Sequence, residues 1–164
     1  MSDKVYNVLF VCTHNSARSI LAEGLLNSMG EGRFKAFSAG SHPAGTVNPF
    51  SLKTLTTLRI PIDGFRSKDW SEFAQPGAPE LDFIFTVCDH AAGEVCPVWP
   101  GQPMTAHWGV ADPAAIQGTD KQKTKGFWDT AVILKRRVEL MLALPLHSLD
   151  RLAIQREINE IGTR

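Results

Sequence analysis

Residues 8–19, Val-Leu-Phe-Val-Cys-Thr-His-Asn-Ser-Ala-Arg-Ser, constrain the fold more than any other stretch of the chain. Four consecutive apolar residues lack the alternation of a half-solvated strand and read as a strand buried on both faces, the pattern of a parallel sheet interior. Small and polar residues follow, and from Ile20 the pattern turns helical. A buried strand, a tight loop and a helix start therefore succeed one another, with Cys12 at the first turn. Five residues separate Cys12 from Arg18, and their backbone N–H groups can converge on a tetrahedral oxyanion that the Arg18 guanidinium closes bidentately. The same surroundings, with a hydrogen bond from Ser19, predict a Cys12 thiol lowered from ~8.5 to roughly 4–7. A thiolate beneath a bound oxyanion is placed for in-line attack on its central atom. The Cys-x5-Arg spacing is common by chance, and the strand-loop-helix context is what sharpens it.

The remainder of the chain alternates in the same way. Ala22, Leu25, Leu26 and Met29 form one helical face, stopped by Gly30 and Gly32. Residues 34–39 read as a second strand ending at Gly40. Asn48-Pro49 reads as an N-cap followed by proline at the first helical position, with Leu52, Leu55 and Leu58 continuing that helix to a stop before Pro61. Residues 63–79 are broken by glycine and proline, with one helical turn expected around Trp70 and Phe73. Residues 81–87 form a third buried strand that delivers Cys88 at its C-terminal end, and 104–108 a fourth. Leu134, Val138, Met141 and Leu142 predict a long helix over 128–144, and a serine-capped helix is expected over 148–161.

Strands alternating with helices predict one α/β domain, a four-stranded parallel sheet with helices on both faces, with ligands at the C-terminal strand ends where Cys12 and Cys88 meet. At 164 residues the chain suits a single core, read as a domain over 1–145 with a C-terminal helical extension over 146–164. A net charge of zero argues against nucleic acid or an anionic membrane as partner. The chain opens without a signal-peptide pattern and has no run near the ~20 apolar residues of a membrane span. Three cysteines without a secretory signal point to reduced thiols in the cytoplasm. The expected oligomeric state is a monomer, or a dimer through the C-terminal helix.

Cys-Thr-His-Asn-Ser-Ala-Arg-Ser, on its strand, resembles the phosphate loop of the low-molecular-weight protein tyrosine phosphatases, and more closely that of the arsenate reductases built on that fold. The likeness runs from Val8 through His107-Trp108-Gly109 and Asp112-Pro113 to about Leu144. It implies Cys12 as nucleophile, an oxyanion held by Thr13, His14, Asn15, Ser16, Ala17, Arg18 and Ser19, and Asp112 as the acid that protonates the leaving oxygen. The bare Asp-Pro pair reads equally well as a turn. The tandem tyrosines of the phosphatases are absent, since Tyr6 is the one tyrosine. Some relatives hold a potassium ion through side chains matching Asn15, Glu23 and Ser38, with an aspartate expected near Lys68-Asp69. Lys68 places an ammonium where that cation would sit, so no metal is assigned.

A reductase of this type needs further thiols, and Cys88 and Cys96 are the candidates. Eight positions apart, they lie ~12 Å apart on a regular helix and ~26 Å apart on a strand, against the ~7 Å between Cα atoms that a disulfide allows. They can pair only across a loop or a helix turn able to unwind. The resemblance implies that the nucleophile bonds arsenic, Cys88 expels arsenite, and Cys96 takes over the disulfide. It further implies arsenate or phosphate as the bound oxyanion, no tightly bound cofactor, and an external thiol reductant, either thioredoxin or glutathione with glutaredoxin. A phosphatase acting through a phosphocysteine at Cys12, and a noncatalytic oxyanion-binding module, are the competing readings.

Overall fold

The computed structural model describes residues 4–88 and 102–164. The buried run forms β1 (Tyr6–Cys12), which pairs in parallel with β2 (Phe34–Gly40) on one side and β3 (Phe83–Thr86) on the other. β4 (Met104–His107) pairs in parallel with β3, giving the order β2-β1-β3-β4. The order reverses between β1 and β3, and in sheets of this kind that reversal opens a crevice at the C-terminal strand ends. Cys12 ends β1, and Cys88 lies two residues beyond β3.

Both faces of the central strands are buried, as an uninterrupted apolar run requires. Val8, Leu9, Phe10 and Val11 are at most 1% exposed. On one face Phe10 and Phe85 meet Trp108, whose ring stacks on Phe85 with centroids 3.9 Å apart. On the other, Phe37 meets Phe73 of the short 3₁₀ turn Trp70–Ala74. Four α-helices are found among the described residues: α1 (Arg18–Met29), α2 (Pro49–Thr57), α3 (Asp120–Leu142) and α4 (Arg151–Ile161). α1, α2 and α3 pack on one another, and α4 rests on β4 and α3.

The Asn48-Pro49 start of α2 is as expected: the Asn48 side chain accepts from the Phe50 amide at 2.8 Å. Two helix starts differ. α3 begins eight residues before the expected Trp128, because Thr119 and Gln122 form a reciprocal capping box ahead of a polar first turn that carries no apolar periodicity. The C-terminal helix is capped by Asp150, which accepts from the Ala153 amide at 2.8 Å, and Ser148 instead closes a 3₁₀ turn, Leu146–Ser148. β3 and β4 are also shorter than the apolar runs that mark them. No described helix is long and apolar enough to cross a membrane.

Candidate active site

The loop after β1 is tied down by its carbonyls. Thr13 O accepts from the His42 amide at 2.8 Å, and His14 O from the Ala44 amide at 2.9 Å and Ser67 Oγ at 3.0 Å. Ser16 O accepts from the Asn48 amide at 3.0 Å and Ser51 Oγ at 2.9 Å. In a trans peptide the carbonyl and the following N–H point opposite ways, so these outward carbonyls turn the amides of His14, Asn15 and Ala17 inward. The His14 amide reaches the Cys12 thiol. Ala17 caps α1 without a side-chain hydrogen bond, which leaves first-turn amides free for an anion.

Asn15 sets the curvature. Its φ is +48°, in the left-handed region that asparagine tolerates best among residues with a Cβ. It is fully buried, its Nδ2 donates to Ser19 Oγ and Ser38 Oγ at 2.9 Å each, and its Oδ1 accepts from the Lys68 amide at 2.9 Å. Gly40, at the end of β2, lies so close beneath that a Cβ there would stand 2.5 Å from Thr13 O. Only glycine lets that strand end approach the loop.

Arg18 begins α1 and closes the ring. Its Nη1 donates to Val110 O at 3.0 Å, and its Nη2 stands 3.7 Å from Asp112 Oδ2. Its Nε is buried without a hydrogen-bond partner. Asp112 caps the 3₁₀ turn Pro113–Ala115 through Oδ1, which accepts from the Ala114 amide at 2.9 Å and leaves Oδ2 toward Arg18. The turn reading of Asp-Pro is met through Oδ1, and Oδ2 faces the Arg18 guanidinium.

Cys12 and Cys88 are both buried, and the Cys88 thiol lies near enough to act on that of Cys12. Thr13 Oγ1 lies 3.4 Å from the Cys88 sulfur, so the loop holds the second thiol as well as the first. This contact changes the expected acidity of Cys12. The Cys88 thiol and burial push the Cys12 thiol up from its ordinary value, and the Arg18 guanidinium and His14 amide pull against them without prevailing. A strongly lowered thiol was expected from Arg18, the helix N-terminus and the loop amides alone, with Cys88 at the same rim of the sheet but without its effect on the acidity of Cys12. Ser19 Oγ accepts from Asn15, and the His14 ring lies outside the cradle, its Nδ1 3.0 Å from His42 O. Cys96 lies outside the described residues.

A family profile described as low molecular weight phosphotyrosine protein phosphatase matches residues 7–152. The chain belongs to this phosphatase family. Within it, an arsenate reductase of Halalkalibacterium halodurans is 37% identical over 123 residues, covering 75% of this chain and 84% of that protein. An arsenate reductase of Bacillus subtilis is 34% identical over the same shares. A solved structure of an arsenate reductase in the phosphate binding state superimposes with a TM-score of 0.66 at 27% identity, covering 85% of this chain and 98% of that one.

The residues matching the potassium ligands of some family members are gathered here, but their donor set is already spent. Ser38 Oγ donates to Glu23 and accepts from Asn15. The Lys68 ammonium donates to Ser38 O at 2.8 Å and Arg66 O at 2.9 Å, and its charge acts on Glu23. Asp69, at the expected fourth position, caps the turn Trp70–Ala74. The group does not fit a resident metal ion, because an ammonium already supplies the positive charge.

The sequence reading missed Arg137. It is 6% exposed on α3, and its Nη1 donates to Trp108 O at 2.6 Å and Gly109 O at 3.2 Å. The available signal was an arginine set within the apolar stripe of Leu134, Val138 and Met141.

Proposed function

We propose that this protein is an arsenate reductase working through a thiol relay that starts at Cys12. The observation that carries this reading is a second buried thiol, Cys88, held 3.4 Å from Thr13 Oγ1 beside the anion loop that begins at Cys12. A phosphatase needs one thiol there; reduction needs two. The relatives named arsenate reductases lend independent support.

Arsenate enters the cradle with its oxygens on the loop amides and Arg18, including the open Nε. Cys12 bonds arsenic, and one oxygen departs as water with a proton from Asp112. Cys88 then attacks the Cys12 sulfur. A disulfide forms, the sulfur–arsenic bond breaks, and its electron pair stays on arsenic, which passes from As(V) to As(III). Two thiols are oxidised to one disulfide, so the electrons balance. Cys96 takes the disulfide from Cys12 in the next exchange, and a small thiol-redox protein or glutathione restores the thiols. Such a cycle requires a reducing compartment, which fits the cytoplasm.

Phosphate and arsenate are near-isosteres, and the cradle separates them weakly. Slow hydrolysis of aryl phosphates through Cys12 and Asp112 follows from the same geometry. The test is arsenate-dependent consumption of reductant, run with thioredoxin and its reductase and separately with glutathione and glutaredoxin. One arsenite is expected per two electrons in at least one system. Brisk aryl phosphate hydrolysis with no arsenate-dependent oxidation in either would leave the phosphatase reading.

A further inference from the structure

The segment 108–112 joins the end of β4 to Asp112, and its main chain is held from three directions. Toward β3, the Trp108 amide donates to Thr86 O at 2.7 Å and the Val110 amide to Val87 O at 3.1 Å, which extends the sheet pairing beyond both strands. Among the described residues β4 is the last strand of the sheet. Arg137 also holds the segment, with one nitrogen spanning the Trp108 and Gly109 carbonyls. From below, α4 accepts the Trp108 indole N–H on Ile158 O at 2.9 Å. Gly162, at the end of α4, is pressed so close that a Cβ would stand 2.2 Å from His107 O.

A buried guanidinium is a costly way to fill this space. Arg137 shares its helix face with Leu134, Val138 and Met141, each at most 1% exposed. Among the described residues no carboxylate pairs with it, and its Nε has no hydrogen-bond partner. An apolar side chain of similar size would avoid that desolvation. What it could not do is tie down the two carbonyls just before Val110, whose own carbonyl receives Arg18, and Asp112.

We propose that Arg137 and α4 clamp segment 108–112 and thereby position Asp112 against Arg18, which makes Arg137 a positioning residue for proton transfer to the leaving oxygen. The family profile ends at residue 152, so most of α4 lies beyond it. A misplacement near 1 Å is enough to cost a proton-transfer step about 100-fold. The inference rests on Asp112 being the proton donor, and its test separates the two claims.

With enzyme in excess, phenol release from phenyl phosphate is compared with dinitrophenol release from 2,4-dinitrophenyl phosphate, whose anion leaves without a proton. Asp112→Asn sets the reference, expected to lose about 100-fold on phenyl phosphate and only a few-fold on the dinitrophenyl ester. Arg137→Met should show the same selectivity with a loss of about 10-fold or more on phenyl phosphate, Arg137→Lys should recover part of it, and inhibition by inorganic phosphate should change less than about 3-fold. Gly162→Ala, which drives α4 away from His107, is the second variant should Arg137→Met fail to fold, and it should reproduce the selective loss. Equal losses on both esters, or no loss on either, with Asp112→Asn remaining selective, would overturn the clamp and leave the acid assignment standing. A non-selective Asp112→Asn, or a wild type that cleaves neither ester, would overturn both.

Discussion

Asn15→Ala strikes the loop at the residue that holds most of its geometry, and the cost can be built from the contacts. The side chain is fully buried and takes part in three hydrogen bonds, two donated and one accepted, each 2.9 Å long. Truncation strands the Lys68 amide, which costs about 1–3 kcal/mol, and removes two bonds to serine worth about 0.5–1.5 kcal/mol each. Alanine at φ +48° adds about 1 kcal/mol where asparagine is tolerated. Taking the middle of these ranges, the variant should lose about 5 kcal/mol, against a total of about 5–15 kcal/mol for a domain of this kind. Urea unfolding at fixed pH measures the loss, and competitive inhibition by inorganic phosphate should weaken at least about tenfold as the amides lose their inward aim. A loss under about 1 kcal/mol with phosphate inhibition unchanged would refute the claim that Asn15 shapes the cradle.

Arg18→Lys keeps the charge but loses both the fork and the open Nε, so phosphate inhibition should fall by about 10-fold or more; an unchanged inhibition constant would count against the guanidinium's role. Cys88→Ala removes the contact that pushes the Cys12 thiol up, so the midpoint of Cys12 alkylation against pH should move down, and a midpoint that stays or rises would contradict the coupling. Burial holds the Glu23 carboxyl above its ordinary value, against the pull of Ser38 and Lys68. The folded protein thus binds this proton more tightly than the unfolded chain, and the stability it contributes in acid is lost as pH rises through the raised value. Glu23→Gln should cancel that loss, its urea stability gaining on the wild type from about pH 4 upward, and a difference independent of pH would show that the carboxyl is not so perturbed.

The parts of the fold legible in the sequence were those written in apolar patterning. The run 8–11 announced a strand buried on both faces, and Asn48-Pro49 announced a helix start because both signals are local. The early start of α3 was hidden because its first turn is polar and its capping box needs Thr119 and Gln122 read as a pair. At the site, Cys12, Asn15 and Arg18 are neighbours in sequence, so their convergence could be inferred from one loop. The Lys68 ammonium followed from the resemblance, but the raised thiol at Cys12 and the Arg137 contacts did not, since two thiols at one rim do not state how they act on each other and Arg137 reaches across 29 positions. Charged side chains make these long-range contacts, and no periodicity marks where they will land.

The central claim is that Cys88 is the second of the two thiols whose oxidation to a disulfide reduces arsenic from As(V) to As(III). Reduced wild-type protein and Cys88→Ser are each mixed with arsenate in the absence of external thiol, quenched by acid and alkylation, and assayed for arsenite and intact mass. The wild type should release up to one arsenite per protein and lose the mass of two hydrogen atoms as a disulfide forms, whereas Cys88→Ser should release none while keeping its slow dinitrophenyl phosphate cleavage. Arsenite release from Cys88→Ser at the wild-type rate would contradict the claim, because a thiol other than Cys88 would then be the second reductant.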